Sequence, residues 1–125
     1  MDITVYLSDI LLATAKDDVV FEEADIQYVE ALRAGTLLKA GSAEGKLAPA
    51  AKGDTVVAVL IDRRLVLDEA GRVMRARDFT VGTEYPMVVV KTGVTLNKAK
   101  LVYLDKSAIT DGDVTVLKGL GIVAI

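Results

Sequence analysis

Two residue types that carry much of protein chemistry are missing from this 125-residue sequence: it has no cysteine and no histidine. Without cysteine there are no disulfides, thiolate nucleophiles or zinc–thiolate sites, and without histidine the commonest general base and metal ligand is lost. Catalysis would have to depend on carboxylates, lysine, tyrosine, serine or threonine. We therefore predict that the chain is not an enzyme and holds no metal or other cofactor.

Aromatic residues and excess positive charge are also scarce. Only 5% of the residues are aromatic, and the formal net charge is −3. Generic nucleic-acid binding, which needs a basic excess and stacking surfaces, is therefore disfavoured. No apolar run approaches membrane-spanning length, and Met1-Asp2 begins without a signal pattern. We expect no direct contact with nucleic acid or with a membrane.

Apolar residues are abundant instead, at 52% of the chain. A single domain of this length buries roughly two thirds of its surface. Either the core is mostly aliphatic, or some apolar surface meets a partner.

The stretch 35–62 predicts strand, turn, strand, loop and strand. An apolar run follows Gly35, the segment Gly41–Gly45 has turn composition, and Pro49 ends the second strand because proline cannot donate to a ladder. Val56–Ile61 is long and β-branched enough to be a strand buried on both faces. Its expected core residues are Val57, Val59 and Ile61.

The other segments are assigned from hydrophobic period and turn residues. Alternation at 3–7 predicts a strand. Residues 22–34 can be helix or strand, and an apolar stripe with a following Gly35 favours a short helix. Further strands are predicted at 85–90, 101–104 and 122–125, with a turn or bulge at 91–94. The spacing Thr110-x-x-Asp113 is that of a capping box and predicts a short helix that ends at Gly119 or Gly121.

Three groups of polar residues are candidate sites. Five arginines between 63 and 77 suggest either an anion site or a solvated face balanced by Asp62, Asp68, Glu69 and Asp78, and the interleaved acids favour the face. Asp105, Asp111 and Asp113 suggest either a hard-cation site or helix capping, and capping is favoured. Residues 41–46 are not a phosphate loop, because Leu47 stands where serine or threonine is needed.

Several stretches resemble the head decoration proteins of lambda-type tailed bacteriophages. The matching stretches, in order, are Gly35-Thr36-Leu37-Leu38, Gly45-Lys46-Leu47-Ala48-Pro49, Val57–Ile61, Val88–Val94, Lys98–Leu101 and Leu117–Ile122. Their order and spacing carry the resemblance more than any single one of them. Two segments depart from the family: 63–83 is a longer, arginine-rich insertion, and the N-terminal segment looks more structured than a simple serine- and proline-rich arm.

The resemblance implies a fold, a role and partners. The fold would be mainly β, a single small sandwich- or barrel-like (β-clip-like) domain with one or two short helices, formed by residues 21–125. Residues 1–20 would be an N-terminal arm or edge strands, with Ile3, Val5, Tyr6, Leu7 and Leu11 contacting the capsid or a neighbouring copy. The protein would bind the outer surface of the expanded phage head as a trimer, contact the major capsid protein and stabilise the shell against DNA pressure. It would pass through the host cytoplasm during assembly.

Two other classes stay open on the residues alone. One is a small β-barrel or clip module that binds a ligand without catalysis, which would need a concave pocket with convergent polar groups. The other is an enzyme that uses carboxylates, which would need a pair of perturbed acids in a cleft.

Overall fold

The computed structural model describes residues 10–14, 20–66, 73 and 78–125. Residues 11–14 and 20 are described by their backbone alone. Within these ranges the chain forms mainly strands, which confirms the mainly β class. The strands are β1 Leu11–Thr14, β2 Val20–Gln27, β3 Leu37–Ala40, β4 Leu47–Pro49, β5 Ala58–Leu60, β6 Glu84–Thr92, β7 Val94–Leu96 and β8 Ile122–Ala124. The helix α1 spans Asp111–Leu120, and short 3₁₀ turns lie at Arg63–Leu65 and Lys98–Lys100.

The strands form two sheets. The larger sheet has the order β2-β6-β5-β3-β4, and all its pairings are antiparallel. The sheet curls into a half-barrel. One backbone hydrogen bond links the edge strand β2 to the turn before the other edge strand, β4: the Asp25 amide donates to the Gly45 carbonyl at 3.1 Å. The smaller sheet has the order β1-β7-β8, with β8 parallel to β7 and α1 in the crossover between them.

The central strand of the larger sheet, β5, is buried on both faces. In β5, Val59 belongs to a core cluster shared with β7, β8 and α1, whereas Ala58 and Leu60 belong to a second cluster inside the curl. All three side chains are fully buried. This explains why Val56–Ile61 is apolar without alternation. The predicted core positions Val59 and Ile61 are confirmed, and Val57 is half-buried.

Gly35 lies at a close approach between two segments of backbone. Its φ is +96°, its amide donates to the Leu60 carbonyl at 2.7 Å, and its carbonyl accepts from the Val102 amide at 3.1 Å. A Cβ at this position would collide with the Lys100 carbonyl oxygen. Gly35, the first residue of the segment 35–62, therefore joins β5 to residues 100–102 through backbone contacts that only glycine permits.

Local signals predicted several elements that the structure confirms. The strand–turn–strand–loop–strand order of 35–62 is observed, residues 42–45 are exposed, and β4 ends at Pro49. The helix begins at an N-cap Thr110 with a complete capping box and ends at Gly121 in the left-handed conformation. A register shift in the β2–β6 pairing and the positive φ of Gly93 fall in the predicted turn or bulge at 91–94.

Two predictions were wrong. Residues 22–27 belong to the strand β2, not to a helix, because eight consecutive residues pair with β6 and Ala24, Ile26 and Tyr28 alternate into the core. Residues 101–104 are not a strand. Val102 makes isolated bridges to Thr36 and Ala108, and the chain reverses at once, with the Tyr103 amide donating to the Ser107 carbonyl at 3.0 Å.

The described part of the N-terminal segment is joined to the domain. Ile10 is fully buried, and its carbonyl accepts from the Asn97 amide at 2.7 Å. β1 pairs with β7 of the same chain. Residues 1–9 and 15–19 lie outside the described residues, so the boundary predicted at residue 20 stays a prediction. In the described ranges no helix is long and apolar enough to span a bilayer.

The close approach at Gly35 can be separated from its positive φ. Gly53 has nearly the same φ, +94°, but a Cβ there meets no atom within 4 Å. We expect Gly53→Ala to lower the free energy of unfolding by about 1 kcal/mol, the cost of a left-handed alanine. Gly35→Ala should cost about 3 kcal/mol or more, because the clash with Lys100 adds to that cost. Urea unfolding of both variants measures the difference, and equal losses would contradict the close approach.

Candidate functional site

One face of the larger sheet is covered only in part. A row of paired residues crosses it from β3 to β2: Leu37, Val59, Val90 and Phe21. The first three are fully buried beneath the smaller sheet and α1, whereas Phe21 is 48% exposed. The cover therefore ends before β2, and a groove opens there.

This Phe21 groove has a volume of about 550 Å³. Its apolar part consists of Phe21, Ile61, Pro86 and Val88, and its charged part of Glu23, Asp62, Arg63 and Arg64. Glu23 pairs with Val88 across β2 and β6, so the groove runs along both strands. The exposed Arg63 has no ion-pair partner among the described residues. The groove thus offers apolar contact area together with charges of both signs at its rim.

Asp62 holds the floor of the groove in place. It is only 3% exposed, and it caps the 3₁₀ turn that follows β5. Its carboxylate accepts from the Arg64 amide at 3.0 Å, from Arg64 Nε at 2.9 Å and Nη2 at 2.8 Å, and from the Val88 amide at 3.0 Å. Burial alone would raise the pKa of Asp62, but the hydrogen bonds from Arg64 and Val88 outweigh it and lower that pKa.

Arg64 connects the groove to the interior of the curl. Its Nη2 also donates to the Pro86 carbonyl at 2.7 Å, and its guanidinium lies over the ring of Phe79 at 5.1 Å. Phe79 stacks on Tyr28 and meets Tyr85 edge-on, both at 5.0 Å between centroids. The ion pair with Asp62 raises the pKa of Arg64, so the guanidinium stays charged. A side chain held by so many partners is a rigid part of a binding surface.

The geometry suits binding rather than a reaction. The one buried carboxylate in the groove, Asp62, is saturated with hydrogen bonds, and its lowered pKa disfavours a role as a proton donor. Among the described residues no cluster of three or more acidic side chains could hold a metal ion. What the groove presents is a fixed apolar surface with a charged rim, which fits a protein partner.

The three candidate cation ligands have separate structural roles. Asp105 accepts from the Ser107 amide at 2.9 Å, and the Ser107 hydrogen bonds lower its pKa. Asp111 forms an ion pair with Lys98 at 3.1 Å. Asp113 accepts from Tyr103 Oη and from Thr110 Oγ1, the latter at 2.8 Å, as part of the capping box.

The predicted arm contacts are only partly placed. Ile3, Val5, Tyr6 and Leu7 lie outside the described residues. Leu11 is in β1 and pairs with Leu96 of its own chain. Their role as contacts with the capsid or a neighbouring copy stays a prediction.

Sequence reasoning missed the Phe21 groove, although a signal was present. Once 20–28 is read as a strand, Ala24, Ile26 and Tyr28 form the inward face and the residues between them face outward. That outward face is polar except at Phe21. The sequence signal was therefore one large aromatic side chain on an otherwise polar strand face.

Replacing Asp62 tests the groove floor. We expect Asp62→Asn to lower the free energy of unfolding by about 2 kcal/mol at pH 7, because buried donors lose a charged acceptor. The matched change Glu44→Gln, in an exposed turn, should have no measurable effect.

The same pair of variants gives a pH test. The pKa of Asp62 is lower in the folded than in the unfolded chain. Its contribution to the free energy of unfolding is therefore complete above about pH 4, and it is lost as the pH falls through the folded-state pKa. In urea titrations from pH 7 down to about 3, the difference in free energy of unfolding between the wild type and Asp62→Asn should become smaller. A deficit independent of pH would mean that the carboxylate charge is not what matters.

Comparison with known proteins gives one family. Searches of curated proteins and of solved structures find no match. A family model described as bacteriophage PhiTE minor capsid decoration protein matches residues 2–124, nearly the whole chain. The resemblance to phage head decoration proteins is thereby confirmed at the level of a capsid decoration family. This chain belongs to the bacteriophage PhiTE minor capsid decoration protein family.

Proposed function

We propose that this protein binds the outer surface of the expanded phage head, contacts the major capsid protein there and stabilises the shell against internal DNA pressure. The observation that carries the proposal is the family match over residues 2–124. Its site of action is then the virion, and it reaches the head through the host cytoplasm during assembly.

The Phe21 groove supports a shell contact through its chemistry. Phe21 offers a large apolar surface that the chain itself does not cover, and aromatic side chains are favoured anchors at protein interfaces. Arg63 and Glu23 at the rim can pair with charges of either sign on a capsid loop. The Asp62–Arg64 pair holds the floor rigid, so little entropy is lost on binding.

The mechanism is passive and needs no catalytic step. A protein that binds the expanded shell but not the compact one stabilises the expanded state by mass action, by RT ln(1 + [L]/Kd) for each site. At a free concentration about a hundred times Kd, this amounts to about 2.7 kcal/mol per site. Many sites on one head would add up to a large resistance to pressure.

A ligand-binding module is the alternative, and the size of the groove favours it. About 550 Å³ is within the range of small-molecule sites. The exposed aromatic at its wall, however, is better suited to cover by a partner, since small-molecule sites enclose most of the ligand. Decoration is the better-supported function, because it also agrees with the family.

Binding to purified heads tests the decoration role. Expanded and unexpanded heads are mixed with the wild type, with Phe21→Asp and with Val81→Asp, and are then examined by co-sedimentation and electron microscopy. Val81 is the control, because it is 62% exposed but lies outside the groove. We expect the wild type and Val81→Asp to decorate expanded heads only.

Phe21→Asp should bind expanded heads about a hundredfold more weakly while staying folded by circular dichroism, as loss of an aromatic anchor implies. No binding of the wild type to either kind of head would contradict decoration. Equal binding of Phe21→Asp and Val81→Asp would contradict the role of the groove and leave the decoration role intact.

The predicted arm is tested by deleting residues 1–9. This cut keeps the buried Ile10 and the β1–β7 pairing, so we expect the domain to stay folded. If Ile3, Val5, Tyr6 and Leu7 contact the shell or a neighbour by strand addition, head binding should weaken by at least about tenfold. Full binding by the folded deletion would exclude the arm. The trimer that the lambda-type resemblance implies also stays a prediction.

A further inference from the structure

The outer edge of β2 is open beside the Phe21 groove. β2 is an edge strand of the larger sheet, with β6 on its inner side. Further along β2 the outer edge is covered, because the Asp25 amide donates to the Gly45 carbonyl and Asp25 bridges to Lys46. At Phe21 and Glu23, by contrast, no other described residue forms a backbone hydrogen bond with the outer edge. The open part of the edge is therefore the part that lines the groove.

The hydrogen-bond pattern determines which backbone groups point out of this edge. Glu23 pairs with Val88. The Val88 amide donates to Asp62 at 3.0 Å and its carbonyl accepts from the Ile61 amide at 3.1 Å, so neither group points to β2. In an antiparallel ladder, the residue opposite such a position turns its own N–H and C=O outward. Glu23 does so, and so does Phe21 two residues earlier, and each offers a free donor and a free acceptor.

The side chains of the same two residues face the groove. Phe21 is 48% exposed, and Glu23 is exposed and also lines the groove. A strand laid along the outer edge of β2 would place every second side chain beside this pair. Main-chain hydrogen bonds and an apolar contact are thus available to one extended segment.

The charge of β2 indicates what kind of segment fits. Three acids of this strand are exposed, and two of them already lie beside a lysine: Glu22 pairs with Lys91 at 2.7 Å, and Asp25 bridges to Lys46. Glu23 forms no ion pair within the described ranges. A basic side chain on an added strand would complement it.

The arginines of the groove do not reverse this charge. Arg64 is bound to Asp62 at 2.8 Å, and Arg63 follows β5, which is two strands away from β2 in the sheet. A segment at the outer edge therefore meets Glu23 first. A second copy of β2 would instead bring its own acids against these, and like charges on facing strands are destabilising.

We propose that the open edge of β2 takes up an extended segment of the major capsid protein as an added strand. This segment places an apolar side chain beside Phe21 and, two residues away, a basic side chain beside Glu23. The inference rests on the proposed decoration role and names the chemistry of the shell segment that is bound. Main-chain hydrogen bonds supply the affinity, and the two side chains set the register.

Proline at position 23 tests the main-chain contact. Because the Glu23 N–H points outward, Glu23→Pro removes a free donor and places its ring where the backbone of the partner would lie. Glu23→Ala is the matched control, since it removes the same side chain but keeps the N–H. In co-sedimentation with expanded heads, Glu23→Ala should bind several-fold more weakly than the wild type. Glu23→Pro should bind at least about tenfold more weakly than Glu23→Ala.

Proline at the neighbouring position tests the orientation of the strand. Glu22 pairs with Val89, and its N–H points to β6, so Glu22→Pro removes a hydrogen bond of the ladder. In urea unfolding, Glu22→Pro should therefore lose much more stability than Glu23→Pro. Equal losses would contradict the outward direction of the Glu23 N–H.

Charge reversal tests the basic residue of the segment. Glu23→Lys should bind expanded heads several-fold more weakly than the neutral Glu23→Gln, and the difference should become smaller at high salt. Equal or stronger binding by Glu23→Lys would exclude a basic side chain at this place.

Hydrogen exchange tests the edge in the unmodified protein. In the free protein, nuclear magnetic resonance should find faster exchange at the Glu23 amide than at the Glu22 and Ala24 amides. On decorated expanded heads, mass spectrometry should find slower exchange in peptides that cover β2. This measurement decides the question even where Glu23→Pro does not fold.

Two results would overturn strand addition and leave the decoration role intact. One is equal binding of folded Glu23→Ala and Glu23→Pro. The other is a wild type that decorates expanded heads without slower exchange in β2. A wild type that does not bind expanded heads would instead contradict the decoration role, and this inference with it.

Discussion

Burial of the central strand β5 on both faces of the larger sheet is the constraint on which the rest of this structure depends. Val59 and Leu60 are neighbours in β5, yet one is buried against the smaller sheet and α1 and the other inside the curl. Since a two-sided apolar strand needs two covers, the chain supplies one by curling the sheet and another by adding β1, β7, β8 and α1. Gly35, just before β3, lets the backbone approach the Lys100 carbonyl.

The Phe21 groove lies where this covering ends. Along the row from Leu37 to Phe21, the smaller sheet stops short of β2, and the groove follows from that edge. At the other side of the smaller sheet, β8 has no further strand within the described residues. A small domain has too few residues to cover its outermost strands as well, so apolar side chains stay exposed there.

Several carboxylates in this chain hold backbone segments together by accepting hydrogen bonds. Asp62 joins a 3₁₀ turn to β6, Asp113 closes the capping box, and Asp54 accepts from the Ala51 amide at 2.9 Å in the loop before β5. The hydrogen bonds lower the pKa of Asp62 and Asp54 and keep both ionised at neutral pH. Near the groove, Asp62 and Arg64 hold the backbone in position, because Asp62 accepts from the Val88 amide and Arg64 donates to the Pro86 carbonyl.

The sequence by itself determined the features whose hydrogen bonds close within a few residues. The capping box of Thr110 and Asp113, the left-handed end at Gly121 and the turn at 41–45 are of this kind. The apolar strand before Asp62 was predicted from its β-branched composition instead, because its hydrogen bonds go to β3 and β6. Tertiary structure decided whether 22–27 became strand or helix, because β6, distant in sequence, supplies its hydrogen bonds. Tertiary structure also decided that 101–104 forms single bridges and not a strand. It decided that Phe21 lines a groove, because how far the smaller sheet covers the larger one depends on packing between segments that are distant in sequence.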